Sequence, residues 1–418
     1  MTGVPGRPSA RWVVGMSLLG AVSLAWLVAE VWHLTWHQQQ LDFSVYVMGA
    51  HHLVDGRLYT ASLGVVPHLP FTYPPVAALA FVPLAALPRS AGQVAWAVVN
   101  VASLYAVLVL SLRAALPGTD RLRLALWALV LLGPSYLLDP VRLTLYFGQV
   151  NLVLCALLLA DLTTTPRIGR RTLPRGVLVG VAAAVKLVPL VFVPYLFVTR
   201  QVRAAWTALA TFAACSLVAV ALDPAASWTY WTRDATDAAR VGTPYFVLDQ
   251  SMQGTLERLA HRTVPTALVD VLALAVLVAG IALARWAWRD SSPFLGILVC
   301  ATTGLVVSPI TWEHHLVWAV PVLAWLALAG DRPAYGRVWA VAAGLVLWRA
   351  PLQRVPSGGT NELHEHGWTL LEGNSFFALL VLFLVGVTVL LLVRRRSGTP
   401  DRRISSAASP TSTAAATT

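Results

Sequence analysis

Charged residues are scarce in this sequence. Asp, Glu, Lys and Arg together make up 12% of the 418 residues, whereas 57% are hydrophobic. A soluble domain of this length cannot bury so much apolar surface, so the composition excludes a soluble globular protein. Repeated apolar runs of about 18–22 residues instead predict an all-α polytopic membrane protein embedded in a lipid bilayer.

Nucleotide and metal motifs are missing as well. The sequence contains no P-loop, no GxGxxG unit and no Cys/His array with metal-ligand spacing. A nucleotide-driven pump or a sugar-nucleotide enzyme would need a soluble domain, for which the chain has no room. Cys155, Cys215 and Cys300 all lie in apolar runs and are predicted to be packing residues. We therefore predict an activity that uses no metal and no cofactor.

Lysine is almost absent, because Lys186 is the only lysine among 30 basic residues. The net charge is nevertheless +11, carried by arginines that cluster between the apolar runs. Cytoplasmic loops of membrane proteins carry this excess of positive charge. The charge is therefore predicted to orient the chain in a membrane and not to bind nucleic acid.

Apolar runs of spanning length are the main feature that is present. For two further stretches, 71–88 and 176–198, hydropathy does not decide whether the chain crosses the membrane. The bundle is therefore predicted to have about 10–12 transmembrane helices. The first run is too long for a cleaved signal peptide and is predicted to be an uncleaved helix. The predicted spans are 12–33, 92–112, 124–140, 149–163, 203–222, 264–284, 293–309, 314–330, 335–350 and 375–393.

The positions of arginine clusters indicate whether the two ambiguous stretches cross the membrane. If 71–88 crossed the membrane, the arginines at 113–123 would lie outside, so this Pro-interrupted stretch is predicted to lie along the outer surface or dip into it. Arginines flank 176–198 on both sides, which favours two half-helices that enter and return; a single tilted crossing is the alternative.

The positions of the arginine clusters also predict the domain organisation. Residues 1–393 form one transmembrane domain with large outer loops at 34–91 and 223–263, and residues 394–418 form a disordered cytoplasmic tail. Unusual polar and aromatic residues concentrate in the outer loops, whereas a transporter more often holds polar groups near the bilayer midplane. This asymmetry predicts an enzyme that acts on a lipid-linked substrate at the outer face of the plasma membrane.

The first outer loop supplies two candidate residues. Asp42 could accept a proton from a hydroxyl nucleophile, or it could cap the helix that follows. Tyr73, with His68 nearby, could contact a sugar beside the helix that the Pro-Pro pair at 74–75 begins.

A second group of candidates surrounds the sequence GQVN. Gln149 and Asn151 offer amides suited to sugar hydroxyls, and Arg142 could hold a phosphate through its guanidinium fork. Lys186 lies in an apolar segment, where an ionisable group is costly enough to suggest a function such as phosphate binding. Structural ion pairing is the alternative for Lys186.

The third group lies in the later outer loops. Gln250 in DQSMQG is a candidate acceptor contact, and so is Trp312 at the start of WEHH. His314 and His315 follow, and a protonated histidine can contact a phosphate. Adjacent histidines point in different directions on a helix, so they are poor joint metal ligands.

Six stretches in this order resemble glycosyltransferase family 87, the polyprenol-phosphate-mannose-dependent α-(1→2)-mannosyltransferases. The resemblance covers roughly residues 12–350, and DQSMQG differs from it by carrying Asp249 where the pattern has Asn. The stretches are DFSVYVMGAHHLVDGRLY, FTYPPVAALAFVPLAALP, GQVNLVLCALLLADL, VKLVPLVFVPYLF, DQSMQG and SPITWEHHLVW.

The resemblance implies a GT-C membrane bundle whose first outer loop carries the catalytic aspartate, here Asp42, as general base. It implies a polyprenyl phosphate mannose donor, a glycolipid or lipoglycan acceptor, and inversion at the anomeric carbon. His314, His315 and Arg142 are then the candidates to stabilise the departing phosphate. Transfer of another polyprenyl-linked sugar, a transporter of polyprenyl lipids or small molecules, and a non-catalytic scaffold are the alternatives.

Overall fold

The computed structural model describes residues 8–37, 40–64, 68–237 and 240–397. It confirms the all-α prediction. Among these residues, five helices are long and apolar enough to cross a membrane, or six if a bent pair counts as one span. The five are α1 (Ala10–His37), α4 (Arg89–Ala115), α10 (Val202–Leu222), α13 (Thr266–Asp290) and α18 (Ser375–Arg396).

Shorter elements connect these helices. The α-helices are α2 (Leu41–His51), α3 (Pro75–Ala85), α5 (Arg121–Tyr136), α6 (Asp139–Phe147), α7 (Asn151–Thr163), α8 (Val177–Val185), α9 (Phe192–Val198), α11 (Pro224–Thr232), α12 (Met252–Ala260), α14 (Pro293–Val307), α15 (Ala319–Leu328), α16 (Gly336–Arg349) and α17 (Gly367–Gly373). The 3₁₀ segments are Val188–Val191, Asp234–Thr236, Glu313–Trp318, Pro351–Arg354 and Asn361–His364. Strands β1 (Ser62–Leu63) and β2 (Leu69–Pro70) pair antiparallel, as do β3 (Arg167–Ile168) and β4 (Arg171–Thr172).

The predicted span 124–140 is wrong at its carboxyl end. Helix α5 stops at Tyr136, and the chain bends by 82° into α6. Pro140 stands in the first turn of α6, where its missing N–H costs nothing, and Asp139 opens that turn. The bend places α6 against the 3₁₀ segment Glu313–Trp318, which carries the WEHH histidines.

The first ambiguous stretch forms a helix too short to cross a membrane. Helix α3 has 11 residues and rises about 16 Å. The hydrocarbon core is about 30 Å thick. Pro75 begins α3, and Pro88 follows its end. The prediction of a short helix that does not cross the membrane is therefore confirmed, and its place in an outer loop stays a prediction.

The second ambiguous stretch is broken at Lys186. Helix α8 ends at Val185, and Lys186 adopts an extended backbone with φ −150° and ψ 132°. Pro189 then stands in the 3₁₀ segment that leads into α9. The break into two short helices agrees with the sequence prediction; their path through the membrane stays a prediction.

Helices α2 and α3 pack face to face through aromatic side chains. The ring of Phe81 stacks on Tyr46 at 4.4 Å between centroids and meets Phe43 edge-on at 6.2 Å. Gly49 allows the close approach of Phe71, because a Cβ at position 49 would lie 2.5 Å from that ring. The two helices of the first outer loop therefore form one packed unit.

Candidate active site

Helix α2 presents Asp42 from its first turn. The residue at the N-cap position of α2 is Gln40, so Asp42 does not cap the helix. The carboxylate is partly buried and lies in the first helical turn, where a negative charge is favoured by the helix dipole. The alternative that Asp42 serves as the cap is therefore wrong.

Gln149 joins Asp42 to two tyrosines. The Tyr46 hydroxyl donates to Gln149 Oε1 at 2.8 Å, and Gln149 Nε2 donates to the Tyr73 hydroxyl at 3.3 Å. The side chain of Gln149 also hydrogen-bonds with Asp42. A hydrogen-bonded group of four side chains thus surrounds the candidate base.

Gly148 makes this group possible. It ends α6 in the left-handed conformation with φ +67°, which glycine adopts without steric cost. A Cβ at position 148 would lie 2.8 Å from Phe43 Cβ, so a side chain would push α6 away from α2. The indole N–H of Trp96 holds the Gly148 carbonyl oxygen at 2.6 Å. A tight bend at Gly148 therefore carries the chain from α6 to Gln149.

Asp42 has the electrostatics of a general base near neutral pH. Burial raises the pKa of its carboxyl to about 6, although the hydrogen bond with Gln149 and the charge of Lys186 both lower it. A base is most effective when its pKa lies near the working pH. The environment of Asp42 therefore suits proton abstraction from a hydroxyl.

Lys186 contacts this group through the ring of Tyr73. Its ammonium is 3.0 Å from Asn151 Oδ1 and 2.9 Å from His315 Nε2, and it sits over the Tyr73 ring at 5.7 Å from the centroid. No carboxylate salt bridge to Lys186 occurs among the described residues. The cation is held by neutral partners, which leaves its charge available to an anion.

His314 is fixed through its backbone and leaves its ring unpaired. Its carbonyl oxygen accepts hydrogen bonds from Thr144 Oγ1 at 3.1 Å and from Asn151 Nδ2 at 3.0 Å. Both ring nitrogens are buried without a hydrogen-bond partner in the described part of the chain. The ring lies 5.6 Å from Phe147 and stacks at 6.5 Å on Trp312. A buried imidazole without partners is expected to bind something that the protein itself does not supply.

Two predicted site residues have other partners. Arg142 forms an ion pair with the buried Asp139, and its own side chain is 45% exposed. The Gln250 amide donates to the carbonyl oxygens of Val247 and Gly373, and accepts from the N–H groups at positions 376 and 377. All of its hydrogen-bonding capacity is used, so Gln250 ties the second outer loop to α18 and has none left for a sugar hydroxyl.

Sequence reasoning missed Tyr46 and the role of Asp249. Tyr46 lies four residues after Asp42, a spacing that places both on one face of a helix and could have marked it. Asp249 is fully buried and accepts hydrogen bonds from Thr311 N at 2.7 Å and Ser251 N at 3.0 Å. It bridges to Trp312, so it holds the strand-like approach to WEHH.

Two cavities lie near this site, and Lys186 lines the smaller one. A small one of about 50 Å³ is lined by Lys186, Asn151 and His315. A larger one of about 380 Å³ lies among α14, α15, α16 and α18, with an almost wholly apolar lining. Leu305 and Trp318 line both cavities. The small polar cavity therefore lies next to an apolar cavity of a size typical for ligand sites.

Comparison with known proteins identifies the family. The family model for glycosyltransferase family 87 matches residues 71–309. The chain belongs to glycosyltransferase family 87. It is a multi-pass membrane enzyme, and the transporter and scaffold alternatives are not retained. No solved structure matches the chain significantly.

Curated relatives of this chain come from mycobacteria. One from Mycobacterium tuberculosis is 34% identical over 94% of this chain and 95% of its own length. One from Mycolicibacterium smegmatis is 34% identical over 91% of this chain and 90% of its own length. Both are named polyprenol-phosphate-mannose-dependent alpha-(1-2)-phosphatidylinositol mannoside mannosyltransferase. A third, from M. tuberculosis strain CDC 1551, is 34% identical over 71% of this chain and 68% of its own length. Its name specifies phosphatidylinositol pentamannoside.

Proposed function

We propose that the protein transfers mannose from polyprenyl phosphate mannose to a hydroxyl of a phosphatidylinositol mannoside, forming an α-(1→2) linkage. The observation that carries the proposal is the continuous polar group from Asp42 through Gln149 and Tyr73 to Lys186 and His315. It offers a base at one end and the ammonium of Lys186 at the other, which suits a displacement at a glycosyl phosphate. The names of the full-length relatives support the donor and the acceptor.

Asp42 acts as the general base. Its carboxylate takes the proton of the acceptor hydroxyl as that oxygen forms a bond to the anomeric carbon. The bond from the anomeric carbon to the phosphate oxygen breaks, and the polyprenyl phosphate leaves with the electron pair. Attack opposite the leaving group inverts the configuration, which turns a β-mannosyl phosphate into an α-mannoside.

Lys186 and His315 receive the phosphate, and the unpaired ring of His314 adds a further donor. Charge on the leaving phosphate increases in the transition state, where fixed donors in a partly dry site stabilise it most. Gln149, Asn151 and Tyr73 line the space between base and cations, where the sugar must lie. Trp312 stacks on His314 and forms a wall of this space.

The polyprenyl chain extends from the phosphate into the apolar cavity among α14, α15, α16 and α18. Leu305 and Trp318 form the passage, because both side chains line the small polar cavity and the large apolar one. An almost wholly apolar lining suits a hydrocarbon chain and offers nothing to a sugar.

The site belongs to the outer face of the plasma membrane. Gln250 and the bridge to Trp312 lie at the start of α18, and the arginines at 394–396 lie at its other end. A helix of 22 residues spans about 33 Å, the thickness of the hydrocarbon core. Arginine clusters mark the cytoplasmic end of a span, so the opposite end with the site is extracytoplasmic.

An in vitro assay of Asp42→Asn tests the base. Membranes containing the variant receive labelled polyprenyl phosphate mannose and phosphatidylinositol mannosides, and the linkage of the product is determined. We expect turnover to fall by about 10²–10⁴, the usual contribution of a general base. Asp55→Asn is the matched control, because Asp55 lies in the same loop but pairs with His52 and Arg57 at the surface. Near wild-type turnover of Asp42→Asn would show that the base is another group.

A further inference from the structure

The hydroxyl of Tyr46 has three hydrogen-bonding partners, which are the Gln149 amide, the Tyr73 hydroxyl and the backbone N–H of Val150. Among these, Gln149 Oε1 can only accept, so it takes the single hydrogen of Tyr46. The backbone N–H of Val150 donates to the Tyr46 oxygen. Val150 is the N-cap residue of α7, where backbone N–H groups have no partner inside the helix. With its oxygen occupied by that donor, Tyr46 directs its own hydrogen to Gln149 Oε1 at 2.8 Å.

This hydrogen bond determines which end of the Gln149 amide faces the base. An amide has one accepting end and one donating end. Because Oε1 is held by Tyr46, the Nε2 group faces Tyr73 and the Asp42 carboxylate. An ionised carboxylate can only accept hydrogen bonds, so this is the orientation that stabilises the reactive form of Asp42.

We infer that Tyr46 is a positioning residue of the transfer reaction, whose hydroxyl locks the Gln149 amide with its nitrogen toward Asp42. The inference rests on the proposed function, in which Asp42 is the base. Tyr46 itself is fully buried and stacks on Phe81, so it acts through Gln149 without contact with substrate.

Removal of the hydroxyl frees the amide. In Tyr46→Phe the ring still stacks on Phe81, but Gln149 Oε1 loses its buried donor and the amide can turn over. The turned amide presents an oxygen to the carboxylate, which disfavours the ionised form of Asp42. Other ionisable groups around Asp42 are unchanged by the substitution: Lys186 lowers its pKa, and Asp42 in turn acts on Tyr73 and Glu313.

The pH dependence of mannosyl transfer tests the inference in the full-length enzyme. We expect the wild-type rate to rise with pH through a midpoint near the pKa of Asp42, about 6. In Tyr46→Phe the midpoint should move upward by about one pH unit, the equivalent of one hydrogen bond to a charged group. A purely structural role would lower the rate at every pH without moving the midpoint.

Gln149→Leu is the second variant, and it should move the midpoint upward by a similar amount. In that background, Tyr46→Phe should add a clearly smaller shift than it gives in the wild type, since the amide that Tyr46 positions is gone. Tyr105→Phe is the matched control, because its hydroxyl donates to the Ala125 carbonyl oxygen within the bundle. That variant should keep the wild-type midpoint.

Two results would overturn the inference. One is a Tyr46→Phe midpoint equal to that of the wild type, and the other is an equal additional shift in the Gln149→Leu background. Failure of the proposed function gives a different result, in which Asp42→Asn keeps both turnover and the acidic limb. The two failures are therefore distinguishable.

Discussion

At the residue scale, the site is organised by one carboxylate and one ammonium, both of which act on Tyr73. Asp42 lies in the first turn of a helix, and Lys186 lies where a helix stops. Neither residue has an ordinary ion-pair partner among the described residues. A protein gains little stability from such charges, so their arrangement points to chemistry between one substrate that offers a hydroxyl and another that carries a phosphate.

Lys186→Met should weaken donor binding. The change removes the ammonium that faces His315 and Asn151 but keeps an unbranched side chain of similar length. A lost hydrogen bond to a charged group raises the KM for the donor by about 10–100-fold. Steady-state kinetics with polyprenyl phosphate mannose as the varied substrate measures it.

Arg57→Met is the control for this change, since Arg57 is an exposed cation of the first outer loop that pairs with Asp55. An unchanged donor KM in Lys186→Met would assign Lys186 to structural pairing alone.

At the scale of elements, short breaks in helices do more for the site than the long helices do. The 82° bend between α5 and α6 brings Thr144 to the His314 carbonyl oxygen. The left-handed Gly148 brings Gln149 to α2. The long spans supply a frame, whereas each break places one polar side chain at the same end of that frame.

Asp249 holds the loop at 249–251 against the segment that leads into WEHH. Its titration should make the stability of the protein depend on pH. Burial raises the pKa of Asp249 from 3.8 to about 7, although its hydrogen-bond donors and Arg258 lower it. Between those values the folded protein retains a proton that the unfolded chain has lost. The free energy of unfolding therefore falls as pH rises from about 4 to about 7.

Asp249→Asn should remove this dependence, because the amide does not titrate and can still accept from Thr311 N. Thermal unfolding in detergent between pH 5 and pH 8 measures the effect, with Asp120→Asn as control. Asp120 caps α5 at an exposed position. If Tm declined equally with pH in Asp249→Asn and in the wild type, Asp249 would be excluded as the source of the pH dependence.

At the scale of the whole molecule, hydropathy and arginine positions predicted most of the helices. Composition was enough to place α1, α4, α10, α13 and α18, because a long apolar run has no other stable form in lipid. The bend at 137–138 was missed, since the run 124–140 continues past Tyr136 without a change in hydropathy.

The candidate site was predicted less completely. Asp42, Lys186, Gln149 and His315 were recognisable as polar groups in unusual places. Gln250 was assigned to the acceptor because sequence cannot tell an amide that faces a cavity from one saturated by backbone groups. Tyr46 was missed because a buried tyrosine in an aromatic helix resembles ordinary packing until its hydroxyl partners are known.

The orientation of the bundle can be tested with introduced thiols. His364 is exposed in a predicted outer loop, and Arg170 is exposed between β3 and β4 in a predicted inner loop. A membrane-impermeant maleimide should react with His364→Cys in intact cells and with Arg170→Cys only after permeabilisation. The native Cys155 and Cys300 are buried and Cys215 is partly exposed, so labelling of the parent chain gives the background to subtract. The reverse pattern would place the site on the cytoplasmic face.

The break at Lys186 has one more consequence. Because no other lysine exists in the chain, the protein carries a single side-chain amine, and that amine faces a cavity of about 50 Å³ beside His315. If the donor phosphate binds at Lys186 as proposed, a small amine-selective reagent would modify this side chain only in molecules whose phosphate position is vacant. The N-terminal amine reacts in both kinds of molecule, so the difference of one added group in the intact mass would count empty and filled sites without any measurement of turnover.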